Sequence, residues 1–141
     1  MKVLLDTNVW IRYIIKDDDR HFAAARNLVK ANEEGYIQIY TSSIIFLEIG
    51  YVLKNLYHFK INEILEVFYS IKQTRGIVVI ENTDIDSALK YFKKYKVKFS
   101  DCLIASQLMD DLILATFDKE FEKLKSISSK SPQEILLLIQ N

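Results

Sequence analysis

The chain has 141 residues, with 19 lysine and arginine residues against 19 aspartate and glutamate residues, so its formal net charge is zero. Half of the residues are hydrophobic and 27% are charged, which indicates a globular protein and excludes a disordered one. We predict one domain over residues 1–141, which is large enough to fold without a disulfide or a metal. The balanced charge argues against a protein that coats nucleic acid, but not against a local basic strip.

Apolar runs are much shorter than the ~20 residues of a membrane-spanning helix, so no membrane partner is expected. The first apolar run meets Asp6 too early for a signal peptide. The single cysteine, Cys102, excludes an internal disulfide and a cysteine-rich zinc site. We therefore expect the protein in a reducing cytoplasm.

Predicted strands and helices alternate along the chain, and only three glycines and one proline interrupt them. In chain order we predict a strand at 2–5, helices at 9–15 and 20–34, a strand at 36–40, helices at 41–57 and 63–73, a strand at 77–81, helices at 84–95 and 101–109, a strand at 112–116, a short helix after Asp118 and a last helix from Ser131. This alternation predicts an α/β fold, a three-layer α/β/α sandwich with a mostly parallel central sheet.

Two acidic residues directly follow predicted strands. Asp6 comes after the strand at 2–5, and Asp118 comes shortly after the strand at 112–116. Ligands of parallel α/β sheets bind beyond the carboxyl ends of the strands, so both carboxylates are candidates for a site. Either residue could instead cap the helix that follows it, a common role for aspartate.

Two further acids occur among apolar residues of predicted helices. Glu48 shares a helical face with Ile44 and Val52, and Asp101 shares one with Ile104. A carboxylate in an apolar stripe needs a partner or a cleft, because burial of an unpaired charge is costly. A structural salt bridge remains open for Glu48, and Asp101 could be a favourable charge in a first helical turn.

If these four acids converge, their like charges repel and raise one another's pKa unless a cation lies between them. Carboxylate oxygens suit Mg²⁺ or Mn²⁺, and such a site can activate water for attack on a phosphodiester. The two histidines, His21 and His58, are far apart in the sequence, so we expect both on the surface and do not expect zinc.

Four segments resemble PIN-domain ribonucleases, in particular the VapC-like toxins of type II toxin–antitoxin pairs. In chain order they read LLDTNVW, TSSIIFLEIGYVL, FSDCLIASQL and LILATFDKEFEKL, and the resemblance covers essentially the whole chain. It implies a metal-dependent endoribonuclease that cleaves RNA. It also implies a homodimer and, for a toxin, inhibition by a cognate antitoxin protein.

The resemblance also assigns site residues. The acids of the family correspond to Asp6, Glu48, Asp101 and Asp118, and its polar helpers to Thr7, Asn8, Ser42 and Thr116. We expect Asp6 and Asp101 to bind the principal Mg²⁺ or Mn²⁺, and Glu48 to complete its shell or hold the attacking water. Asp118 would help with a second, weaker metal or hold another ligand in place. No histidine lies at a motif position, so a metal-activated water is the expected nucleophile.

A strip of five lysines without an acid occupies residues 90–98. It could follow the phosphates of RNA, and the candidate RNA contacts are Lys93, Lys94, Lys96 and Lys98. Alternatively, the lysines belong to a solvated helix end, where they complement the helix dipole.

Other functions were weighed against this one. Asn8 stands where an aspartyl-phosphate phosphatase needs a second aspartate, and the lack of a glycine-rich loop excludes ordinary nucleotide binding. A housekeeping RNA-processing nuclease of the same family remains open. So does a different class, a catalytically silent RNA-binding or scaffold module.

Overall fold

The computed structural model describes residues 1–109 and 111–141. The elements, in chain order, are β1 (Lys2–Leu5), α1 (Thr7–Ile14), α2 (Asp19–Glu33), β2 (Gln38–Ser42), α3 (Ser43–Asn55), α4 (Ile61–Lys72), β3 (Val78–Ile80), α5 (Ile85–Tyr95), α6 (Phe99–Ser106), β4 (Leu112–Ala115), a 3₁₀ helix (Lys119–Lys123), β5 (Ser129–Lys130) and α7 (Pro132–Gln140). None of the described helices is both long enough and apolar enough to cross a bilayer.

The strands form a five-stranded sheet in the order β3-β2-β1-β4-β5, and every neighbouring pair is parallel. Strand β1 lies in the centre, between β2 and β4, and its residues Val3, Leu4 and Leu5 are almost completely buried. A continuous apolar run of this kind is typical of a parallel strand that helices cover on both faces. The predicted α/β fold with a parallel central sheet is confirmed.

The helix that carries Asp101 rests on a second, smaller core. This core consists of Ala88, Val97, Cys102, Ala105 and Leu124, and it joins α5, α6 and the end of the 3₁₀ helix. Cys102 is fully buried there, next to Asp101 in sequence. Apolar packing on one side of α6 therefore holds Asp101 towards the carboxyl edge of the sheet.

Several elements have other bounds than predicted, and three of them show the physical reason. Strand β2 begins two residues later than predicted, because its register with β1 pairs Lys2 with Gln38. Helix α4 begins at Ile61, where the Lys60 amide donates to Glu63 Oε1 at 2.9 Å. Strand β5 was not predicted at all, because it is only two residues long and polar, and pairing with β4 alone defines it.

Candidate functional site

Asp6 lies at the junction of β1 and α1, at the carboxyl edge of the sheet, and only 4% of it is exposed. As the N-cap of α1 it accepts a hydrogen bond from the Thr7 amide on Oδ1 at 2.8 Å. Its second oxygen, Oδ2, accepts from Thr116 Oγ1 at 2.7 Å and from Asn8 Nδ2 at 3.1 Å. The sequence left open whether Asp6 caps a helix or lies at the carboxyl edge of the sheet, and in the structure it does both.

The position of Thr116 follows from strand register. Leu5 pairs with Ala115, so the next residue of each strand, Asp6 and Thr116, meets at the edge of the sheet. Besides donating to Asp6, Thr116 Oγ1 accepts from Asn8 Nδ2 at 3.1 Å and from the Asp118 amide at 3.0 Å. The carbonyl of the Asn8 side chain accepts from the Phe117 amide at 3.1 Å. These bonds lock the ends of β1 and β4 together around Asp6.

Burial, together with the charges of Glu48 and Asp101, raises the pKa of Asp6 to about 7. The hydrogen bonds from Thr116 and Thr7 oppose this shift, because they stabilise the ionised carboxylate. Asp6 is therefore a carboxylate that the metal-free protein holds part-protonated near neutral pH. The interaction with Glu48 and Asp101 also shows that the three acids share one electrostatic environment.

Glu48 lies on α3, half-buried, and accepts a hydrogen bond from Thr7 Oγ1 at 2.9 Å. Among the described residues it forms no ion pair within 4.0 Å. The structural salt bridge that the sequence left open is therefore not its role. A hydroxyl instead orients this carboxylate next to Asp6, and Thr7 thereby links the first turn of α1 to α3.

Asp101 lies in the first turn of α6 and is half-buried. Burial, together with the charges of Glu48 and Asp118, raises its pKa to about 6. Lys98, the N-cap of α6, opposes this shift by its positive charge, whereas Glu120 adds to it. Asp101 is thus within electrostatic reach of two acids of the predicted site and of one lysine of the predicted strip.

Asp118 caps the 3₁₀ helix, and its Oδ1 accepts from the Glu120 amide at 2.9 Å. Its charge also raises the pKa of Asp101. Asp118 is therefore both a helix cap and an acidic neighbour of Asp101, the two roles between which the sequence did not decide. Glu120 is an acidic neighbour of the site that sequence reasoning missed. Its only signal was its place two residues after Asp118.

The other predicted site residues are Ser42 and the four lysines of the strip. Ser42 ends β2, next to β1 in the sheet, and is fully buried, but its hydroxyl has no hydrogen-bond partner among the described residues. Lys93 and Lys94 lie exposed in the last turn of α5, and Lys96 follows as its C-cap in a left-handed conformation with φ of 55°. Of the four predicted RNA contacts, Lys98 is the one whose charge reaches Asp101.

The donor set fits a hard, oxygen-preferring cation. Asp6, Glu48, Asp101 and Asp118 supply carboxylate oxygens only, while Cys102 is buried in the second core. As the side chains stand in the described part of the chain, no three of its His, Cys, Asp and Glu residues form a group that could hold a metal ion. Mg²⁺ is compatible with such a set of acids, because it keeps several waters and takes few direct protein ligands.

The fold and its site define an α/β domain with a parallel sheet and a cluster of acids at the carboxyl edge of that sheet. The chain belongs to the PIN domain family, whose model matches residues 3–127, and PIN domains are nucleases as a family. The predicted resemblance is thus confirmed at the level of the family. That one domain extends over all of residues 1–141 stays a prediction.

Solved structures share this fold at low sequence identity. A chain of VapBC2 from Rickettsia felis, crystallised with a DNA fragment from their promoter, has a TM-score of 0.64 and 18% identity, covering 93% of this chain and 98% of that chain. PAE2754 from Pyrobaculum aerophilum has a TM-score of 0.63 and 14% identity, covering 99% and 96%. A chain of FitAcB from Neisseria gonorrhoeae has a TM-score of 0.61 and 18% identity, covering 93% and 98%. No curated protein sequence matches the chain significantly.

Proposed function

We propose that this protein is an endoribonuclease that depends on a divalent metal ion and is the toxin of a toxin–antitoxin pair. The shared electrostatic environment of Asp6, Glu48 and Asp101 carries the proposal. These acids come from three separate elements, and the charges of Glu48 and Asp101 raise the pKa of Asp6. Membership of a nuclease family supports the same reading, since a cation that neutralises such a cluster supplies nuclease chemistry.

In this proposal Asp6 and Asp101 are the main ligands of Mg²⁺ or Mn²⁺, Glu48 completes the shell or holds the attacking water, and Asp118 assists with a second ion. When bound, the ion would lower the pKa of water and stabilise the leaving oxygen of the phosphodiester. Thr116 and Thr7 orient the carboxylates of Asp6 and Glu48 through the hydrogen bonds described above. Their contribution is to hold ligands in place before the substrate arrives.

We propose RNA as the substrate, approached over the lysines at the end of α5. Lys93, Lys94 and Lys96 are exposed, and Lys98 leads directly into the helix of Asp101. Clustered cations of this kind hold the backbone of a nucleic acid and make its binding dependent on salt. The overall neutral chain is consistent with this, because its acidic cleft and its basic strip offset each other.

A cognate antitoxin and a second copy of the chain are the proposed protein partners. The VapBC2 relative belongs to a toxin–antitoxin complex, which supports the first. Exposed apolar side chains on α3 and α4 support the homodimer, since water-exposed apolar patches of this kind mark protein contacts. They are Leu47, Tyr51, Leu65 and Tyr69.

The activity is tested by incubating RNA with the purified chain and Mg²⁺ or Mn²⁺. We expect cleavage that stops with a chelator and in Asp6→Asn and Asp101→Asn, while circular dichroism shows that both variants remain folded. Asp86→Asn is the matched control, because Asp86 is an exposed acid in the first turn of α5. Full activity in both site variants would overturn the site assignment. RNA binding without any cleavage by the wild type would identify a silent binding module.

A growth assay in cells distinguishes a toxin from a housekeeping nuclease. Expression of the wild type should stop growth, Asp101→Asn should not, and co-expression of a small protein encoded directly upstream should restore growth. Cleavage of RNA in vitro without any effect on growth would instead identify a housekeeping RNA-processing enzyme.

A further inference from the structure

A cleft next to the acidic cluster shares only Thr116 and Asp118 with the proposed site. Its volume is about 640 Å³, within the range of about 300–1,000 Å³ that is usual for ligand pockets. Thr116, Phe117 and Asp118 form one wall, and two of these residues also belong to the acidic edge of the sheet. A ligand in this cleft would therefore extend directly to the proposed cleavage site.

Two stacked rings line the cleft. The rings of His21 and Phe117 lie 4.0 Å apart between centroids, with an angle of 16° between their planes. Asn8 holds Phe117 by accepting its amide hydrogen at 3.1 Å. Asp18 Oδ1 accepts from the His21 amide at 3.0 Å, and Asp18 Oδ2 lies 3.3 Å from His21 Nδ1 without hydrogen-bond geometry. Each ring covers one face of the other, and the outer face of the stacked pair is the kind of flat aromatic surface on which a single-stranded base stacks.

Three cations surround this surface, namely Arg20, Lys119 and Lys130. Within the described residues, none of them has an ion-pair partner within 4.0 Å, whereas neighbouring Lys123 is paired with Glu120 at 2.8 Å. Cations without a protein partner are available to bind a phosphate.

Three acids also line the cleft, namely Asp118, Glu122 and Glu134. Glu134 is engaged, because its Oε2 accepts from the Ser131 amide at 2.7 Å in the cap of α7. Asp118 belongs to the proposed metal site, where a cation would offset its charge. Glu122 and Glu134 are both exposed, and Glu122 has no ion-pair partner among the described residues.

We propose that this cleft binds one nucleotide of single-stranded RNA next to the phosphodiester that is cleaved. Its base stacks on the His21–Phe117 pair, and its phosphate is held by Arg20 and Lys130. The proposal rests on the ribonuclease function and adds a second contact surface, on the α2 side of the acids, to the lysine strip on the α5 side. RNA would then cross the acidic cluster between two groups of cations.

Binding of a fluorescent single-stranded oligoribonucleotide, measured by anisotropy in chelator so that no strand is cut, tests this. His21→Ala should weaken binding about tenfold, as expected for loss of one stacked base. Arg20→Ala combined with Lys130→Ala should lower the slope of log affinity against log salt by about 0.7 for each lost phosphate contact. Arg26→Ala is the matched control, because Arg26 lies on the same helix outside the cleft and should bind as the wild type does.

Oligonucleotides that lack single bases separate stacking from charge. One abasic position should weaken binding to the wild type, yet cause no further loss in His21→Ala. A wild type that cleaves RNA while all cleft variants bind normally would overturn the subsite, leave the ribonuclease proposal intact and point to a protein ligand for the cleft. A wild type that neither binds nor cleaves RNA would overturn both.

Discussion

Thr116 donates a hydrogen bond of 2.7 Å to the buried carboxylate of Asp6 and thereby joins the ends of the two central strands. Its hydroxyl also accepts from Asn8 and from the Asp118 amide, so its one hydrogen and both lone pairs are used. This hydroxyl therefore sets the position of Asp6 and favours its ionised form. Three of the predicted helpers act on the acids in this direct way, since Asn8 and Thr7 also hold carboxylate oxygens.

Thr116→Val should lower the free energy of unfolding by about 1–3 kcal/mol, because it removes three hydrogen bonds, one of them to the buried carboxylate of Asp6. It should also raise the pKa of Asp6 further, so that RNA cleavage begins at a higher pH than in the wild type. Urea unfolding and a pH profile of cleavage check these effects. Thr41→Val is the control, because the buried Thr41 hydroxyl has no hydrogen-bond partner among the described residues and its loss should cost nothing. Equal effects of both variants would contradict the role given to Thr116.

The metal-free protein should become less stable as the pH rises from about 4 to 7. The pKa of Asp6 is about 7 and that of Asp101 about 6, both above the value of 3.8 expected in the unfolded chain. The folded state therefore binds more protons in this range, and each such proton contributes a slope of up to about 1.4 kcal/mol per pH unit. Denaturant unfolding in chelator at several pH values measures this.

Asp101→Asn is the comparison for that experiment. It removes one raised pKa and one charge that raises the pKa of Asp6, so its stability should fall less with pH than that of the wild type. Mg²⁺ or Mn²⁺ should restore stability to the wild type at pH 8 but not to this variant, because a ligand of the folded state stabilises it by mass action. Parallel pH dependences of the two proteins would show that the acids are not coupled.

Glu120→Gln should lower the pKa of Asp101, because the charge of Glu120 raises it. We expect the acidic limb of the cleavage profile to move to lower pH, with metal affinity changed by no more than about fivefold. Asp86→Asn is the control, since Asp86 is an exposed acid in the first turn of α5. An identical pH profile for wild type and Glu120→Gln would remove Glu120 from the site.

The lysines of the strip should divide into two kinds. Charge reversal of Lys93, Lys94 and Lys96 should weaken RNA binding and reduce its salt dependence without moving the pH profile of cleavage. Lys98→Glu should weaken RNA binding and also move the pH profile of cleavage, because the charge of Lys98 lowers the pKa of Asp101. Unchanged affinity after the triple reversal would leave these lysines as a solvated helix end. A pH profile unmoved by Lys98→Glu would argue against its link to the metal ligands.

The order of strands and helices could be predicted from the sequence, because apolar periodicity and helix caps are local signals. Strand β1 has the predicted bounds, and Asp84, Asp118 and Ser131 cap the helices that follow them as expected. Strand β2 was displaced and β5 was missed, since pairing partners rather than composition decide where these strands lie. Local propensity therefore located most of the elements, whereas strand register decided the bounds of β2 and the existence of β5.

Four acids at the ends of strands or inside apolar helices could be selected from the sequence, because a carboxylate in such surroundings needs a partner or a cleft. The sequence by itself thus determined the chemical kind of site, through the residue types that it supplies and those that it lacks. Only the tertiary structure decided which groups act on one another. The contact of Thr116 with Asp6 spans 110 positions, and the stacking of His21 on Phe117 brings α2 to the end of β4. Such pairs depend on strand register and helix packing, which local sequence does not encode.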